Sequence, residues 1–471
     1  MRGSLTPDLC IIGGGSGGLA VAAGAAQMGA EVLLIERGQM GGDCLNFGCV
    51  PSKSLLAAAR LADFARRGAA RGILSIAPRT NFAKAVDGVH EVIETIAPHD
   101  SIERFQGLGV RVVRAEAMFT SPHTLSAGEF AVRPRRFVIA TGSYPAVPTI
   151  PGLDRVPYLT NETVFSNRQR PQHLIVIGAG PIGVEMAQAH CRLGARVTVL
   201  DIGPLLPRDD PELAGLLGER LAGEGIAIRT HVEIACIERD GEAIVARLAD
   251  GERISGSHIL VAAGRRPAIE ALNLVRAGIE TTAAGISVDA RLRTTNRHAF
   301  AVGDVVGGPQ FTHVALYHAG IVIRNALFRL PAKVDYRALP WVTYTDPELA
   351  QVGLTEAAAR AAGSDVRILR WPFIENDRAQ TERDTEGLVK VVLRRNGRVL
   401  GVSILGAGAG DLILPWALAV SQKLKIGALA NLIVPYPTRG EASKRAAGCY
   451  YTPILFSPRT RRLVRLLARM G

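Results

Sequence analysis

Two cysteines lie five positions apart in residues 41–53, "GGDCLNFGCVPSK", of a 471-residue chain that contains six cysteines. On a regular helix, with about 100° per residue, Cys44 and Cys49 would point roughly 140° away from each other. Gly48 between them and Pro51 just after them interrupt such a helix, so the two sulfurs can still meet. The pair can be a redox disulfide, part of a zinc site, or two inert buried thiols. Because no further Cys or His pair has zinc spacing, we favour the redox disulfide and predict no metal site.

Two stretches of the sequence repeat one dinucleotide-binding pattern. Residues 8–18, "DLCIIGGGSGG", lead to "EVLLIER" at 31–37, and residues 173–183, "HLIVIGAGPIG", lead to "RVTVLDI" at 196–202. Each copy is an apolar strand, a G-x-G-x-x-G turn, a helical stretch and a second strand that ends in an acid. The first glycine permits the turn, the second lets backbone N–H groups approach a pyrophosphate, and the third lets the helix pack on the strand. The pyrophosphate then lies at the positive end of the helix.

The acids that close the two copies, Glu36 and Asp201, can accept hydrogen bonds from an adenosine ribose. If the second copy holds a nicotinamide cofactor, a carboxylate at Asp201 repels the 2′-phosphate of NADPH, which favours NADH as the donor. NADPH stays an alternative because Arg208 is close in the sequence. Two nucleotide sites and a close cysteine pair in one chain predict an electron relay from a nicotinamide, through a flavin, to a thiol pair.

The composition limits the classes of protein to which the chain can belong. Its net charge is +12, but the arginines are spread over the whole chain without an aromatic-rich basic module, so no nucleic-acid partner is predicted. Residues 9–30 carry no charge and are long enough for a membrane span, yet their glycine cluster fits a turn better. No signal peptide is recognisable, and six scattered cysteines do not make a disulfide framework, so we expect a cytoplasmic location.

The length and the changes in composition predict several domains. A proline-rich connection at residues 145–152 separates the two nucleotide motifs, and a second break falls at residues 330–340. Beyond it, residues 387–406 are predicted to form two strands around an Arg-Asn-Gly turn, and residues 411–426 to form a helix. This last region is predicted to be an α+β domain without a nucleotide fingerprint.

Motifs along nearly the whole chain resemble those of the pyridine nucleotide-disulfide oxidoreductases, the family of glutathione reductase, dihydrolipoamide dehydrogenase and mercuric reductase. They are both fingerprints, the cysteine segment, "IATGS" at 139–143, "AGRRP" at 263–267, "AFAVGDV" at 299–305, "TDPELAQVGLTE" at 345–356 and "YPTRGE" at 436–441. The resemblance implies a homodimeric α/β enzyme with two Rossmann-like dinucleotide-binding domains and a C-terminal α+β dimerisation domain. The implied segments are 1–150 for FAD, 151–270 for NAD(P), 271–337 completing the FAD side, and 338–471 for the dimer interface.

The same resemblance implies which residues hold the cofactors. Asp304 would hydrogen-bond the ribityl chain of FAD. The other implied FAD contacts are Gly13, Gly15, Gly18, Glu36, Thr141 and Gly142. The implied nicotinamide-cofactor contacts are Gly178, Gly180, Gly183, Asp201 and Gly264.

Roles within the redox centre also follow from the resemblance. In the family the second cysteine faces the flavin and the first reacts with substrate, so these roles fall on Cys49 and Cys44. A lysine and a glutamate in the positions of Lys53 and Glu185 pair beside the flavin N5, where an ammonium would stabilise the reduced, anionic ring. The charge of Lys53 and a nearby helix start would also lower the thiol pKa values.

The sequence departs from the disulfide reductases of the family at one catalytic position. Where they carry a His-Pro-Thr…Glu element, contributed across the dimer, this chain carries Tyr436, followed by the matching Pro437, Thr438 and Glu441. A phenol with a pKa of about 10 is a poor base at pH 7, although it can donate a hydrogen bond or flank a metal thiolate. Mercuric reductases also place tyrosine here, and "ENDRAQTE" at 375–382 resembles that branch.

These features predict an NAD(P)H-dependent FAD reductase of a small thiol, disulfide or metal-ion substrate, in the style of mercuric reductase. Mercuric reductases also end in a vicinal cysteine pair, whereas this tail offers only Cys449, either a substrate thiol or an ordinary packed residue. One alternative is a dihydrolipoamide dehydrogenase or low-molecular-weight disulfide reductase that works with Tyr436. Another is a flavoprotein subunit docked on a multienzyme or membrane assembly. Residues 457–471 carry arginines among leucines at helical spacing. The plainer expectation is a terminal helix that packs on its own dimer, and the alternative is peripheral contact with a membrane surface or a partner.

Overall fold

The fold is that of a computed structural model, which describes residues 3–75 and 79–470. The chain divides into two compact units. The first unit comprises Met1–Gly178, Ala189–Leu200 and Val232–Val334, and the second comprises Ala179–Gln188, Asp201–His231 and Asp335–Gly471. The boundaries of the four segments predicted from the sequence stay predictions.

The longest α-helix of the described residues has 22 residues. They are α1 Ser16–Gln27, α2 Gly42–Asn46, α3 Cys49–Ala70, α4 Phe82–Ile96, α5 Ile102–Gly107, α6 Pro181–Arg192, α7 Pro211–Gly223, α8 Thr312–Ala326, α9 Glu356–Ala361, α10 Asp377–Glu382, α11 Ala409–Leu412, α12 Leu414–Ser421, α13 Gly427–Ala430, α14 Glu441–Gly448, α15 Thr452–Leu455 and α16 Pro458–Leu467.

The strands alternate with these helices in the first unit and cluster toward the C-terminus in the second. They are β1 Gly3–Leu5, β2 Leu9–Ile12, β3 Val32–Glu36, β4 Arg111–Arg114, β5 Ala117–Ser121, β6 Thr124–Ala127, β7 Phe130–Val132, β8 Arg136–Ile139, β9 Ser143–Pro145, β10 His173–Ile177, β11 Arg196–Leu200, β12 Ile226–Arg229, β13 Ile234–Asp240, β14 Ala243–Leu248, β15 Arg253–Gly256, β16 His258–Val261, β17 Arg265–Pro267, β18 Thr281–Thr282, β19 Gly285–Ile286, β20 Ala299–Ala301, β21 Pro340–Thr343, β22 Glu348–Gly353, β23 Val366–Pro372, β24 Leu388–Arg394 and β25 Val399–Gly406.

A five-stranded parallel sheet, in the order β20-β8-β2-β3-β4, forms the centre of the first unit. Its inner strands are continuous apolar runs because helices and a second sheet cover both faces. Helices α1 and α8 contribute to one of these cores together with β2 and β3. The first strand–turn–helix–strand motif predicted from the sequence is therefore confirmed.

The second motif begins with three parallel strands of the first unit, in the order β11-β10-β16. An antiparallel sheet of β13, β14 and β15 packs against this group through a shared apolar core. A short antiparallel ribbon joins β9 to β17, so that the segment after β8 and the segment after β16 run side by side.

The second unit is built on a five-stranded antiparallel sheet in the order β21-β22-β25-β24-β23. The predicted hairpin at residues 387–406 is confirmed as β24 and β25. The helix predicted at 411–426 is wrong in its extent, since the structure has two helices, α11 and α12, and the second ends at Ser421. Lys423 then adopts a left-handed backbone conformation, with φ of 56°, which a helix cannot continue through.

A buried ion cluster lies within the second unit. The Lys390 ammonium, on β24 with a side chain 4% exposed, lies 2.8 Å from Asp210, 2.9 Å from Glu212 and 3.1 Å from Glu356. Arg370 on β23 adds a second cation, 2.7 Å from Glu212. The hydrogen bond from Arg370, followed by those from Lys390, lowers the pKa of Glu212 to about 2. The cluster ties the start of α7 and the start of α9 to the sheet.

No helix within residues 3–75 and 79–470 is both long enough and apolar enough to cross a bilayer. The uncharged segment at 9–30 instead forms β2, the glycine turn and α1. This agrees with the preference for a turn over a membrane span in that segment.

Candidate active site

The two cysteines lie at a break between two helices. Cys44 lies in α2, and Cys49 is the first residue of α3. Gly48 between them has φ of −120° and ψ of −114°, well outside helical geometry. A Cβ at Gly48 would come within 2.9 Å of the backbone oxygen and side chain of Asp43, so glycine is required there. The predicted interruption of the helix is therefore confirmed.

The two thiols are unequal. Both are free cysteines in the structure, and a hydrogen bond with Cys49, followed by burial, raises the pKa of Cys44 above its ordinary value. Cys49 stands at the N-terminus of the long helix α3, whose positive end favours a thiolate. Its Sγ also lies 3.5 Å from Thr312 Oγ1 at the start of α8. The geometry thus places Cys49, at the start of α3, where a thiolate is favoured.

The predicted lysine and glutamate are placed in different units. Lys53 follows Cys49 by one turn of α3, and its Nζ donates to Ser52 Oγ over 3.3 Å. Glu185, on α6, is 3% exposed and accepts a hydrogen bond from the Tyr344 N–H over 2.9 Å. Lys53 belongs to the first unit and Glu185 to the second, so their pairing stays a prediction.

The first glycine turn has the form that a pyrophosphate requires. A Cβ at Gly13 would overlap the carbonyl oxygen of Ala140, and one at Gly18 would overlap that of Gly13, so the fold itself requires these two glycines. A Cβ at Gly15 would meet only Gly42, at 3.8 Å. Gly15 therefore leaves open space beside the N-terminus of α1, where a pyrophosphate can approach the backbone N–H groups.

Glu36 and a neighbouring cavity fit the adenosine part of FAD. The Glu36 carboxylate accepts hydrogen bonds from the N–H groups of Gly14 and Gly38, both over 2.5 Å. It also lines a cavity of about 90 Å³ whose walls include Ala117 and Thr141. The cavity adjoins the glycine turn, so an adenosine would enter it with its pyrophosphate at α1. The residues present therefore fit FAD.

A set of polar side chains surrounds Asp304, the predicted ribityl contact. Ser143 Oγ donates to Asp304 over 2.6 Å, and Arg265 Nε donates to the same Ser143 Oγ over 2.7 Å. Arg265 also lies 3.1 Å from Asp43, which in turn accepts a hydrogen bond from Asn161 over 3.0 Å. Burial raises the pKa of Asp304, and Ser143 and Arg265 oppose that rise. Asp304 is thus held in one orientation beside the residue that precedes Cys44.

Arg265, Ser143, Asp43 and Asn161 were not identified from the sequence as site residues. Their signal was present in part, because Ser143 closes "IATGS" and Arg265 follows the glycine of "AGRRP". No local pattern in the sequence indicates that Arg265 and Ser143, which lie 122 positions apart, are in contact. The pairing of β9 with β17 brings them together.

The remaining predicted residues of the two motifs lie at turns beside this ribbon. Thr141 Oγ1 donates to the Ala268 carbonyl over 2.7 Å. Gly142 and Gly264 have φ of 70° and 115°, conformations that favour glycine. These residues follow β8 and β16, at the carboxyl ends of the parallel strands, where nucleotides bind in such sheets.

The second glycine turn resembles the first in its local geometry. A Cβ at Gly178 would overlap the carbonyl oxygen of Ala262, both in the first unit. Gly180, in the second unit, has nothing within 4 Å of an added Cβ, as a cofactor-facing glycine requires. Gly183 lies in the first turn of α6.

Asp201 repeats the arrangement of Glu36. Its carboxylate accepts hydrogen bonds from the N–H groups of Ala179 over 2.6 Å and Gly203 over 2.7 Å. Both oxygens keep a further lone pair for ribose hydroxyls. Arg208, the one nearby cation considered from the sequence, is exposed. The residues therefore fit a nicotinamide dinucleotide.

Tyr436 has a different partner from the one implied by the family motif. It is 70% exposed, and its hydroxyl donates to Asp377 Oδ2 over 2.9 Å. This hydrogen bond is the main reason why the pKa of Tyr436 is raised. Glu441, at the start of α14, accepts instead from Arg445 over 2.8 Å. The phenol hydrogen is therefore engaged, and the oxygen is left as a hydrogen-bond acceptor or a metal ligand.

Within the described residues, no group of three or more His, Cys, Asp or Glu side chains could hold a metal ion.

Comparisons with known proteins show the family to which the chain belongs. The family model "Pyridine nucleotide-disulphide oxidoreductase" matches residues 7–319, and its dimerisation-domain model matches residues 339–447. A mercuric reductase of Streptomyces lividans is 38% identical over 463 residues, which cover 95% of this chain and 97% of that protein. A dihydrolipoyl dehydrogenase of Geobacillus stearothermophilus is 34% identical over 458 residues, covering 94% and 96%.

Solved structures show the same fold. The Cu(II) complex of the HOCl-induced flavoprotein disulfide reductase RclA of Escherichia coli is 27% identical, with a TM-score of 0.86 over 94% of this chain and 99% of that one. LpdA of Mycobacterium tuberculosis has the same identity, TM-score and coverage.

The protein is thus a flavoprotein disulfide oxidoreductase that uses FAD and NAD(P)H. Its dimerisation domain supports a homodimer. The match to the family model spans more than half of the sequence and includes both glycine turns and the cysteine pair. The chain belongs to the pyridine nucleotide-disulphide oxidoreductase family.

Proposed function

We propose that this enzyme passes electrons from NAD(P)H to a thiol-reactive metal ion, Hg(II) or a related metal–thiol adduct, in the manner of mercuric reductase. The observation that carries this proposal is Tyr436, which stands where the disulfide reductases of the family carry histidine and whose hydroxyl donates to Asp377 over 2.9 Å. The net reaction for Hg(II) would be NAD(P)H + Hg(II) → NAD(P)⁺ + H⁺ + Hg(0), with two electrons transferred. When bound, FAD supplies the ring through which these electrons reach the cysteine pair.

The environment of Tyr436 favours a metal ion over a disulfide as substrate. Attack on a disulfide requires a thiolate, so the Cys44 thiol needs a base that takes its proton. Tyr436 is a poor base because its hydroxyl already donates to Asp377 and its pKa is raised. A soft metal ion needs no base, since it displaces the thiol proton as it binds sulfur.

Cys44 and Cys49 would have different roles in this reaction. Two electrons and two protons convert the Cys44–Cys49 disulfide into two thiols. Cys49, between the starts of α3 and α8, is placed to carry a thiolate. Cys44 binds the metal ion through sulfur and releases its proton, and re-formation of the Cys44–Cys49 disulfide passes the two electrons to the metal ion.

The test is an anaerobic substrate panel. The enzyme is reduced with NADH, the long-wavelength thiolate-to-flavin band is recorded, and Hg(II), Cu(II), lipoamide, glutathione disulfide and quinones are added in turn. We expect Hg(II) or another soft metal ion to reoxidise the enzyme fastest. Faster reoxidation by lipoamide or glutathione disulfide would contradict the proposal.

A second candidate function is that of a dihydrolipoamide dehydrogenase or low-molecular-weight disulfide reductase, favoured by the dihydrolipoyl dehydrogenase relatives. A change at Tyr436 separates the two. The Tyr436→His variant gains an imidazole whose pKa suits thiol activation, so lipoamide turnover is expected to rise at least about tenfold.

The Tyr436→Phe variant removes the phenol oxygen and tests whether this oxygen contributes to the reduction of Hg(II). The kcat/KM for Hg(II) is expected to fall about tenfold, while NADH-dependent reduction of the bound flavin is unchanged. Tyr158→Phe, a partly exposed tyrosine of the first unit, is the control. Equal Hg(II) turnover in Tyr436→Phe and wild type would rule out a role for the phenol.

The donor preference stays a prediction and rests on Asp201. Its carboxylate is fixed by two backbone N–H groups and would lie against a 2′-phosphate. We expect kcat/KM for NADH to exceed that for NADPH by about tenfold or more. The Asp201→Asn variant should narrow this ratio. A wild-type preference for NADPH would overturn the argument.

The proposed enzyme works in the cytoplasm as a homodimer on a small-molecule substrate. The third sequence-based alternative, a subunit docked on a multienzyme assembly, has no separate observation in its favour.

A further inference from the structure

The C-terminal segment that begins at α15 is exposed along its length. Neither α15 nor α16 contains a buried residue. The large apolar side chains of the segment are more than half exposed, namely Ile454, Leu455, Phe456, Leu463, Val464, Leu466, Leu467 and Met470. Such a run of exposed apolar side chains indicates a surface that another body covers.

Helix α16 places most of its basic residues opposite most of its apolar residues. At about 100° per residue, Arg461, Arg462 and Arg465 fall within one arc of roughly 100°, and Leu463 and Leu467 lie on the opposite side. Arg459 and Leu466 lie between these two sides. The start of the helix is well defined, because Ser457 Oγ accepts a hydrogen bond from the Thr460 N–H and Pro458 occupies the first turn. The amphipathic arrangement therefore belongs to a helix with a capped N-terminus.

The charge of the segment is of one sign. From residue 452 to residue 471 the sequence has five arginines and no lysine, aspartate or glutamate. A second copy of this chain would bring the same basic face toward its own, whereas an anionic surface is complementary to it. The dimerisation-domain match also ends at residue 447, before this segment begins.

We infer that residues 452–470 bind the surface of a membrane rich in anionic lipids. The leucine face of α16 and the aromatic ring of Phe456 enter the boundary between headgroups and acyl chains, and the arginines contact lipid phosphates. With ten residues, about 15 Å, α16 is too short to span a bilayer and lies along its surface. This inference is independent of the substrate proposed above, because it concerns where the enzyme is held.

The experiment is flotation of the full-length FAD-loaded enzyme with vesicles. Vesicles of phosphatidylcholine containing phosphatidylglycerol are compared with vesicles of phosphatidylcholine alone. We expect at least about tenfold more protein to float with the anionic vesicles, and high salt to reduce this fraction because it screens the arginines.

Two double variants test the two faces. Leu463→Glu with Leu467→Glu, and Arg461→Glu with Arg465→Glu, are each expected to abolish flotation. Val275→Glu, a change at an exposed apolar residue of the first unit, is the matched control and should float like wild type. NADH-driven flavin reduction, measured without vesicles, is expected to be unchanged in all three variants.

The oligomeric state of each variant in solution shows whether a second copy of the chain, instead of a membrane, covers the leucine face of α16. If Leu463→Glu with Leu467→Glu converts the dimer to monomer, the leucine face packs against a second copy and the inference is overturned. Equal flotation with neutral and anionic vesicles, or no flotation of wild type, overturns it as well.

Discussion

Replacing Cys44 with serine is expected to lower NAD(P)H-driven turnover of thiol-reactive substrates by about 10³-fold or more, while FAD stays bound. Cys44 is the sulfur proposed to meet substrate, and a hydroxyl neither binds soft metal ions nor exchanges with disulfides. FAD should be retained because the glycine turn, Glu36 and Asp304 lie outside the change.

The Cys49→Ser variant should lose turnover to a similar extent but differ in its spectrum. Because Cys49 is placed to carry the thiolate, Cys44→Ser is expected to keep the long-wavelength thiolate-to-flavin band and Cys49→Ser to lose it. Cys236→Ser, in β13, is the control and should behave like wild type. A band that disappears in Cys44→Ser and persists in Cys49→Ser would reverse the two assigned roles.

Replacing Lys390 with methionine should destabilise the second unit by about 3–5 kcal/mol, because three carboxylates would lose a cation within 3.1 Å. Thermal unfolding is expected to shift downward by on the order of 10 °C. The effect is large because Lys390 and Asp210 are almost completely buried, so water cannot replace the lost charge.

Two further variants identify the cause. Lys390→Met combined with Asp210→Asn should recover part of the loss, since one buried charge is removed and asparagine can still cap α7. Lys84→Met breaks an exposed ion pair with Asp87, measured at 3.6 Å, and should cost less than about 1 kcal/mol. Wild-type stability in Lys390→Met would mean that the carboxylates find other compensation.

The sequence was sufficient for the parts of the site that are local in the chain. Both nucleotide turns were predicted because strand, glycine spacing and closing acid lie within about thirty residues, and their geometry depends on neighbours in sequence. The break between Cys44 and Cys49 was predicted for the same reason, since Gly48 sets it locally.

The sequence was insufficient where distant residues meet. The contact of Arg265 with Ser143 and Asp43 depends on the β9–β17 pairing, which no local pattern encodes. The bond from Tyr436 to Asp377 was also missed, although both residues lie in segments quoted as motifs. Residues 411–426 were predicted as one helix because their apolar content is high, whereas Lys423 ends it through its backbone conformation.

The two carboxylates Glu36 and Asp201 have a kinetic consequence. Each is bound to a glycine-turn N–H and to the N–H two residues ahead, so both turns are already in the shape that a dinucleotide meets. Little conformational entropy is then lost when a cofactor arrives, and its association need not wait for a loop to order. Exchange of the nicotinamide cofactor should therefore be controlled by its rate of departure, which lets one enzyme molecule accept successive reducing equivalents without refolding its nucleotide site.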